Sequence, residues 1–299
     1  HSTSSAASDV YKRQPLKYAY HPGNAAHSGS PEVSDTMEAV ARNLGLELTY
    51  LDGATSCGAG IIKQANHRLQ IALNARTFAM AEAHGLNIIT PCAATAGNLK
   101  QDLEKLRSDP ILLKEINDVL AKTCGMHFSG ETDVHHLLHV IVEEIGLDKI
   151  EKLAVNKFDF KVAGYYSPYI QMEGVCGDDS VNDPNYFEQL IDALGGVPIN
   201  WEGRVLSVGA PGIFSEEPTV LRQSAAVISE AKEEGAEIIV SACNLSHSIM
   251  DIYQGKASRA TGISTNMPVI HLTELLSFAF GNHNTRFAQL RTRIAVIGD

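Results

Sequence analysis

The chain has 299 residues, 44% of them hydrophobic and 20% charged, and a formal net charge of −11. That length suits about two domains of roughly 150 residues each, and the composition is that of a globular chain, not a disordered one. The acidic balance, with no basic run to offset it, argues against nucleic-acid binding, and no stretch of about 18 apolar residues is present to cross a membrane.

The opening stretch HSTSSAASDVYKRQ, residues 1–14, is rich in Ser and Ala and lacks the apolar run of a signal peptide. It resembles translated sequencing adapter and is expected to lie outside the fold as a non-native or disordered leader. Leu16–Pro22 reads as a strand. Ser30–Leu44 reads as a helix with Val33, Met37, Val40 and Leu44 on one face and Gly45 as its stop. Leu46–Leu51 alternates as a strand, Asn66–His84 is a helix stopped by Gly85, Leu86–Pro91 is a short buried strand, and Ala96–Ser108 is a third helix. In Thr132–Ile145, Val134, Leu137, Leu138, Ile141, Val142 and Ile145 form one helical stripe. His135, His136 and His139 then fall on the opposite face. His135 and His139 have the i, i+4 spacing of a helical metal pair, but no acid or cysteine ligand stands nearby in sequence, so the three read as a polar face, open to a partner.

The pattern then restarts. Val162–Tyr169 is a strand, Asp183 caps and Pro184 opens a helix ending at Gly195-Gly196, Glu216–Glu234 is a helix, Glu237–Ser241 a strand and Leu245–Tyr253 a helix. Leu275–Phe280 is apolar but too short to span a bilayer. Such alternation predicts an α/β fold with a short, mainly parallel sheet flanked by helices in each half. The expected domains are 15–131 and 161–299, joined by a connecting helix and linker over 132–160.

The halves also repeat one another. Gly45, Gly58, Ala59 and Cys92 recur 151 positions later as Gly196, Gly209, Ala210 and Cys243, with no insertion across some 47 positions. A constant offset of that length indicates a duplicated unit. The cysteines 57, 92, 124, 176 and 243 are odd in number and widely spaced, which points to a reducing cytoplasm and not to a disulfide framework. The turns Gly58–Gly60 and Gly209–Gly212 fit neither GxGxxG nor a P-loop and read as tight turns.

Several segments, namely YHPGNAAH (Tyr20–His27), SCGAG, ITPCAATAGNL, VHHLLHVIVEEIGLDKI (Val134–Ile150), GYYSPY, ALGG and VSACNLSHSIM, together resemble the B subunit of heterodisulfide reductase from Leu16 to about Phe280. That family is built from two cysteine-rich CCG domains. The resemblance implies five cysteines per domain: one after the first strand, an adjacent pair before a Gly, and a CxxC after the last strand. The ten thiolates hold two noncubane (4Fe–4S) clusters that cleave or form a disulfide between two thiol cofactors. In this chain the first set reads Asn24, Ser56-Cys57 and Cys92 to Thr95, and the second reads Pro168, Ser207-Val208 and Cys243 to Ser246. Only Cys57, Cys92 and Cys243 keep sulfur. A cluster takes about four thiolates, so the ligand set is incomplete and the expectation is that no cluster is bound.

Cys57 and Cys92, with His21 or His27 from the loop of the lone-cysteine position, have the donor types of a tetrahedral zinc site; they also read as packed, buried cysteines. A Cys57–Cys92 redox disulfide is the weaker alternative. Cys243 precedes a helix whose N-terminus lowers a thiol pKa, or is simply packed. Cys124 and Cys176 match no family ligand position. The resemblance implies a B-subunit-like component of a heterodisulfide reductase-type complex in thiol/disulfide or sulfur metabolism, with a ferredoxin-like iron–sulfur subunit and a flavoprotein subunit as partners. Its role would be mainly structural or substrate-pocket forming. Similar subunits occur in pairs in the complexes of sulfur-oxidising microbes and in some succinate or fumarate reductase-type complexes. The alternative is a stand-alone enzyme or binding protein that reuses the inter-domain cleft, lined by His21, His27 and His247.

Overall fold

A computed structural model describes residues 15–282 apart from 25, 27, 28 and 173; the expected leader and His27 lie outside the described residues. The chain forms two four-stranded parallel sheets with the same strand order, β2-β1-β3-β4 and β6-β5-β7-β8. The strands are β1 (Leu16–Tyr20), β2 (Leu46–Tyr50), β3 (Asn87–Thr90) and β4 (Val134–His136), then β5 (Lys161–Tyr165), β6 (Val197–Pro198), β7 (Ile238–Ser241) and β8 (Val269–His271). Helices cover both faces, so the central strands are apolar on both sides. All four residues of β7 are buried. Two small α/β units of one topology are what the 151-residue offset requires. The offset is also visible in detail: Gly58 and Gly209 share a left-handed φ of 73° in corresponding turns.

Helix formation follows the expected stripes. The helix Pro31–Leu44 opens with Pro at its first position and buries Val33, Met37, Val40 and Leu44. Each such aliphatic side chain contributes about 1.5–3 kcal/mol when fully buried. The helix Pro110–Cys124, not expected from the sequence, is capped by Asp109, whose carboxylate accepts from the Ile111 and Leu112 amides, both at 3.0 Å. The helix expected from Pro184 begins at Tyr186, because the Asp179 carboxylate takes the Asn185 and Tyr186 amides while Asp183 pairs instead with Arg204 at 2.6 Å.

The expected helix over Thr132–Ile145 is not one helix. Val134–His136 is strand β4, in register with β3 at Ile88↔Val134 and Thr90↔His136. One helical turn, Leu137–His139, and a π-helical turn, Val140–Ile145, follow. The chain switches period at His136, whose Nδ1 accepts from the Leu138 amide at 3.1 Å and so starts the turn. His136 and His139 are therefore buried and form no polar face. The second unit repeats this device. His271 ends β8 and caps the helix Leu272–Ala279, with Glu274 completing a capping box.

The carboxyl ends of the two sheets face each other. The Ala93 amide donates to the Ala242 carbonyl at 2.8 Å, and His136 Nε2 donates to the same carbonyl at 3.0 Å. His271 in turn directs its ring, more loosely, at the carbonyl of Pro91, which is 151 positions before Ala242. Polar bonds flank this clasp: Thr36 Oγ1 to Thr273 Oγ1 at 2.9 Å, Ser30 Oγ to the Asn244 carbonyl at 3.1 Å, and Asn244 Nδ2 to the Pro22 carbonyl at 3.1 Å. One continuous apolar cluster, including Tyr20, Ile89, Leu137, Val240 and Leu272, runs through both units.

The clasp makes stability pH-dependent. Burial lowers the pKa of His136 to about 4 and that of His139 to about 3, with neighbouring histidines pushing His139 further down; burial also lowers His271. These rings are neutral in the folded state and titrate near 6.5 when unfolded. The stability they confer is complete above pH 6.5 and is lost as pH falls from 6.5 towards 4. His247 has the opposite sign: burial opposes its charge, but the Glu32 hydrogen bond and the nearby carboxylates outweigh burial and raise its pKa. Its contribution is complete below pH 6.5 and is lost as pH rises through its folded value. Urea titrations should give a midpoint that drops between pH 6.5 and 5, with a shallower drop in His136→Asn. A parallel drop in the variant would show that His136 is not among the groups responsible.

Candidate functional site

Loops that follow parallel strands gather at the carboxyl edge of a sheet, and here they bring the first unit's motif positions together. After β1, His21 accepts from the Gly23 amide through Nδ1 at 3.1 Å and so carries its proton on Nε2, which donates to the Thr55 carbonyl at 3.0 Å. Both ring nitrogens are engaged, and burial lowers the pKa of the ring. Asn24, at the lone-cysteine position, bridges its neighbours. Its Nδ2 donates to Cys57 Sγ at 3.1 Å and its Oδ1 accepts from Ser56 Oγ at 2.6 Å. Ser56 Oγ also accepts from the Gly58 amide at 3.3 Å, as Ser207 Oγ does from Gly209 at 3.0 Å in the second unit. Burial pushes the Cys57 thiol up to about 11.

Cys92 and Cys243 stand directly before the helices Ala93–Ser108 and Asn244–Ile252. Each is set by the same turn: the Cys92 amide donates to Thr90 Oγ1 at 3.3 Å and the Cys243 amide to Ser241 Oγ at 3.2 Å. Both are fully buried, and their side chains adjoin each other across the boundary between the units. Burial acts to raise Cys92, but the adjoining Cys243, the nearby Thr95 side chain and backbone amides outweigh it and lower the thiol. Burial and the adjoining Cys92 drive Cys243 well above its usual range. Both cysteines precede a helix, so the helix N-terminus alone does not distinguish them.

Four further residues complete the site. Thr95 and Ser246, at the last positions of the two motifs, stand beside the thiols. Asn98 stands beside Tyr169, whose hydroxyl is raised to about 12 by burial and by the charges of Cys243, Cys57 and Cys92. Tyr169 thus lies close to all three sulfurs. Motif spacing finds Thr95 and Ser246; only the packing of the loop after β5 against Gly97 brings in Tyr169.

One other expected residue goes elsewhere. His247 is fully buried, with Nε2 2.5 Å from Glu32 Oε1, and ligand atoms of Glu32, His247 and Glu274 lie within 4.8 Å of one another. Among the described residues, Cys57, Cys92 and His21 do not form a triad of comparable closeness. His21 does line a cleft of about 460 Å³, together with Tyr20, Gly23, Asn24, Tyr50 and Asp52. Gly23 is the wall between this cleft and the thiols. A Cβ there would lie 2.4 Å from Cys92 Cβ and 3.3 Å from its Sγ, and φ is 90°. Gly23→Ala should therefore cost roughly 2–3 kcal/mol, read as a lower urea midpoint at unchanged slope. An unchanged midpoint would mean that the loop does not press on Cys92.

The cysteine-rich domain family CCG matches residues 18–100. The chain is 29% identical over 283 residues to the 8-methylmenaquinol:fumarate reductase membrane anchor subunit of Wolinella succinogenes, covering 90% of this chain and 96% of that one. It is 26% identical over 260 residues to the B subunit of the Ferredoxin/F(420)H(2)-dependent CoB-CoM heterodisulfide reductase of Methanosarcina acetivorans, covering 84% and 85%. The fold is similar to the crystal structure of a hypothetical protein from Helicobacter pylori, with a TM-score of 0.71 and 16% identity over 93% of this chain, which spans about half (51%) of that one. These matches make the chain similar over most of its length to the heterodisulfide reductase B subunit, with a cysteine-rich CCG domain at residues 18–100.

Proposed function

We propose that the chain is a B-subunit-like component of a heterodisulfide reductase-type redox complex in which the iron–sulfur sites have decayed. The observation that carries the second half of this reading is the donor set. Three of ten family positions hold sulfur, and the replacements are built into the site. Asn24 bonds both Ser56 and Cys57, while Val208 is a buried apolar side chain that cannot ligate. Neutral amide, hydroxyl and alkyl groups do not replace thiolates on ferric iron, and each lost thiolate also removes charge that balances the metal. The residues present do not fit a noncubane cluster. Zinc at Cys57 and Cys92 with His21 as a ligand is disfavoured because both His21 nitrogens are already engaged; His27 lies outside the described residues.

In this reading the chain supplies a packed shell and a pocket next to a catalytic partner. That role suits a cytoplasmic component working with a ferredoxin-like iron–sulfur subunit and a flavoprotein subunit. One relative carries the name of a membrane anchor; among the described residues here, no helix is long and apolar enough to cross a membrane. Anaerobic reconstitution with iron and sulfide should leave the visible spectrum featureless and iron well below one atom per chain. Four irons per chain, lost on Cys57→Ala or Cys92→Ala, would restore a working cluster to the first unit and overturn the proposal.

A further inference from the structure

Two of the three remaining sulfurs belong to different units and yet are neighbours. Their backbones are drawn together at the same place: the residue after Cys92 donates its amide to the residue before Cys243, at 2.8 Å. The third sulfur, Cys57, is engaged by the Asn24 amide at 3.1 Å. Cys92 also lies just behind Gly23, a residue of the His21 cleft wall that carries no side chain. We infer that Cys92 and Cys243 form a reversible disulfide between the two units by exchange with a small organic disulfide that enters from this cleft. This rests on the reading that neither sulfur is held by a cluster.

The exchange balances without any further co-reactant. Cys92 loses its proton and attacks one sulfur of the disulfide RSSR; the S–S bond breaks and one thiolate leaves with a proton as RSH. Cys243 then loses its proton and attacks the Cys92 sulfur of the mixed disulfide, and the second RSH departs. RSSR is reduced by two electrons to two RSH, and the Cys92–Cys243 pair is oxidised by two electrons. The direction reverses with excess thiol. Attack by a thiolate on a disulfide sulfur through a mixed disulfide is the ordinary route of such exchange. The product ties together the two loops that already meet at the clasp, so the oxidised chain has its units covalently linked.

The test uses the full chain, purified anaerobically and analysed for iron, then treated with 2-hydroxyethyl disulfide. Free thiols counted after denaturation should fall from five to three. Peptide mapping without reductant should yield one cross-linked pair containing Cys92 and Cys243, and dithiothreitol should restore all five thiols. Cys57→Ser should leave the cross-link in place. Cys243→Ser should stop at a mixed disulfide on Cys92, and should that variant fail to fold, the wild-type mapping and Cys57→Ser decide the matter alone. Iron-free protein that keeps five free thiols, or that links Cys57 to Cys92, overturns this inference and leaves the proposed function standing. Four irons per chain overturn both.

Discussion

The carboxyl ends of two parallel sheets cannot meet in a protein interior unless the peptide groups there find partners. Each end exposes strand carbonyls and the amides of the helices that follow, and an unpaired buried peptide group costs about 1–3 kcal/mol. The contact between the Ala93 amide and the Ala242 carbonyl meets that requirement across the boundary. His136 adds a second donor to the same carbonyl while its other nitrogen caps the next helical turn. A neutral imidazole is well suited to the place, because it donates and accepts at once without bringing a charge into the core. The position of Cys92 against Cys243 follows from this closure.

The thiol site is a consequence of the same burial. Three fully buried sulfurs, removed from water, are governed by whichever hydrogen bonds reach them. Cys57 receives the Asn24 amide, yet burial prevails and its thiol stays protonated. Around Cys92, Cys243, the nearby Thr95 and backbone amides act against burial and lower the thiol. Beside it, the amide of Asn24 and the hydroxyl of Ser56 form a hydrogen-bonded network that reaches Cys57.

Much of this is legible in the chain. The 151-residue offset marks the duplication, and the apolar stripes mark most helices to within a few residues, because Gly45 and Gly85 stop helices in plain sight. The grouping of the motif positions is legible as well: Asn24, Ser56, Cys57, Cys92 and Thr95 do converge at one edge. The segment 132–145 misleads because its apolar residues satisfy a helical stripe even though Val134–His136 pairs as a strand. A second repeat, Val-x-His-Leu at Val134–Leu137 and Val269–Leu272, marks strand and cap in both units. It is hidden because its offset is 135 and not 151. The contact between Cys92 and Cys243 cannot be read from the chain at all: a repeat fixes what is equivalent, not how two copies are turned toward each other.

The distribution of sulfur over the motif positions makes sense only with that orientation in hand. Pro168, Ser207 and Val208 on one side, and Asn24 and Ser56 on the other, occupy the loops after the first two strands of each unit. These loops contribute side chains to their own unit's network, as Asn24 and Ser56 do, so a polar or apolar substitute can be accommodated one unit at a time. Cys92 and Cys243 are different. Each sits between a central strand and the helix it feeds, and each is packed against the other unit's counterpart. A larger or charged residue there would press on the clasp and on Gly23 together. The positions that keep sulfur include the two at which the halves touch, and the chemistry left to the chain is concentrated on that shared surface.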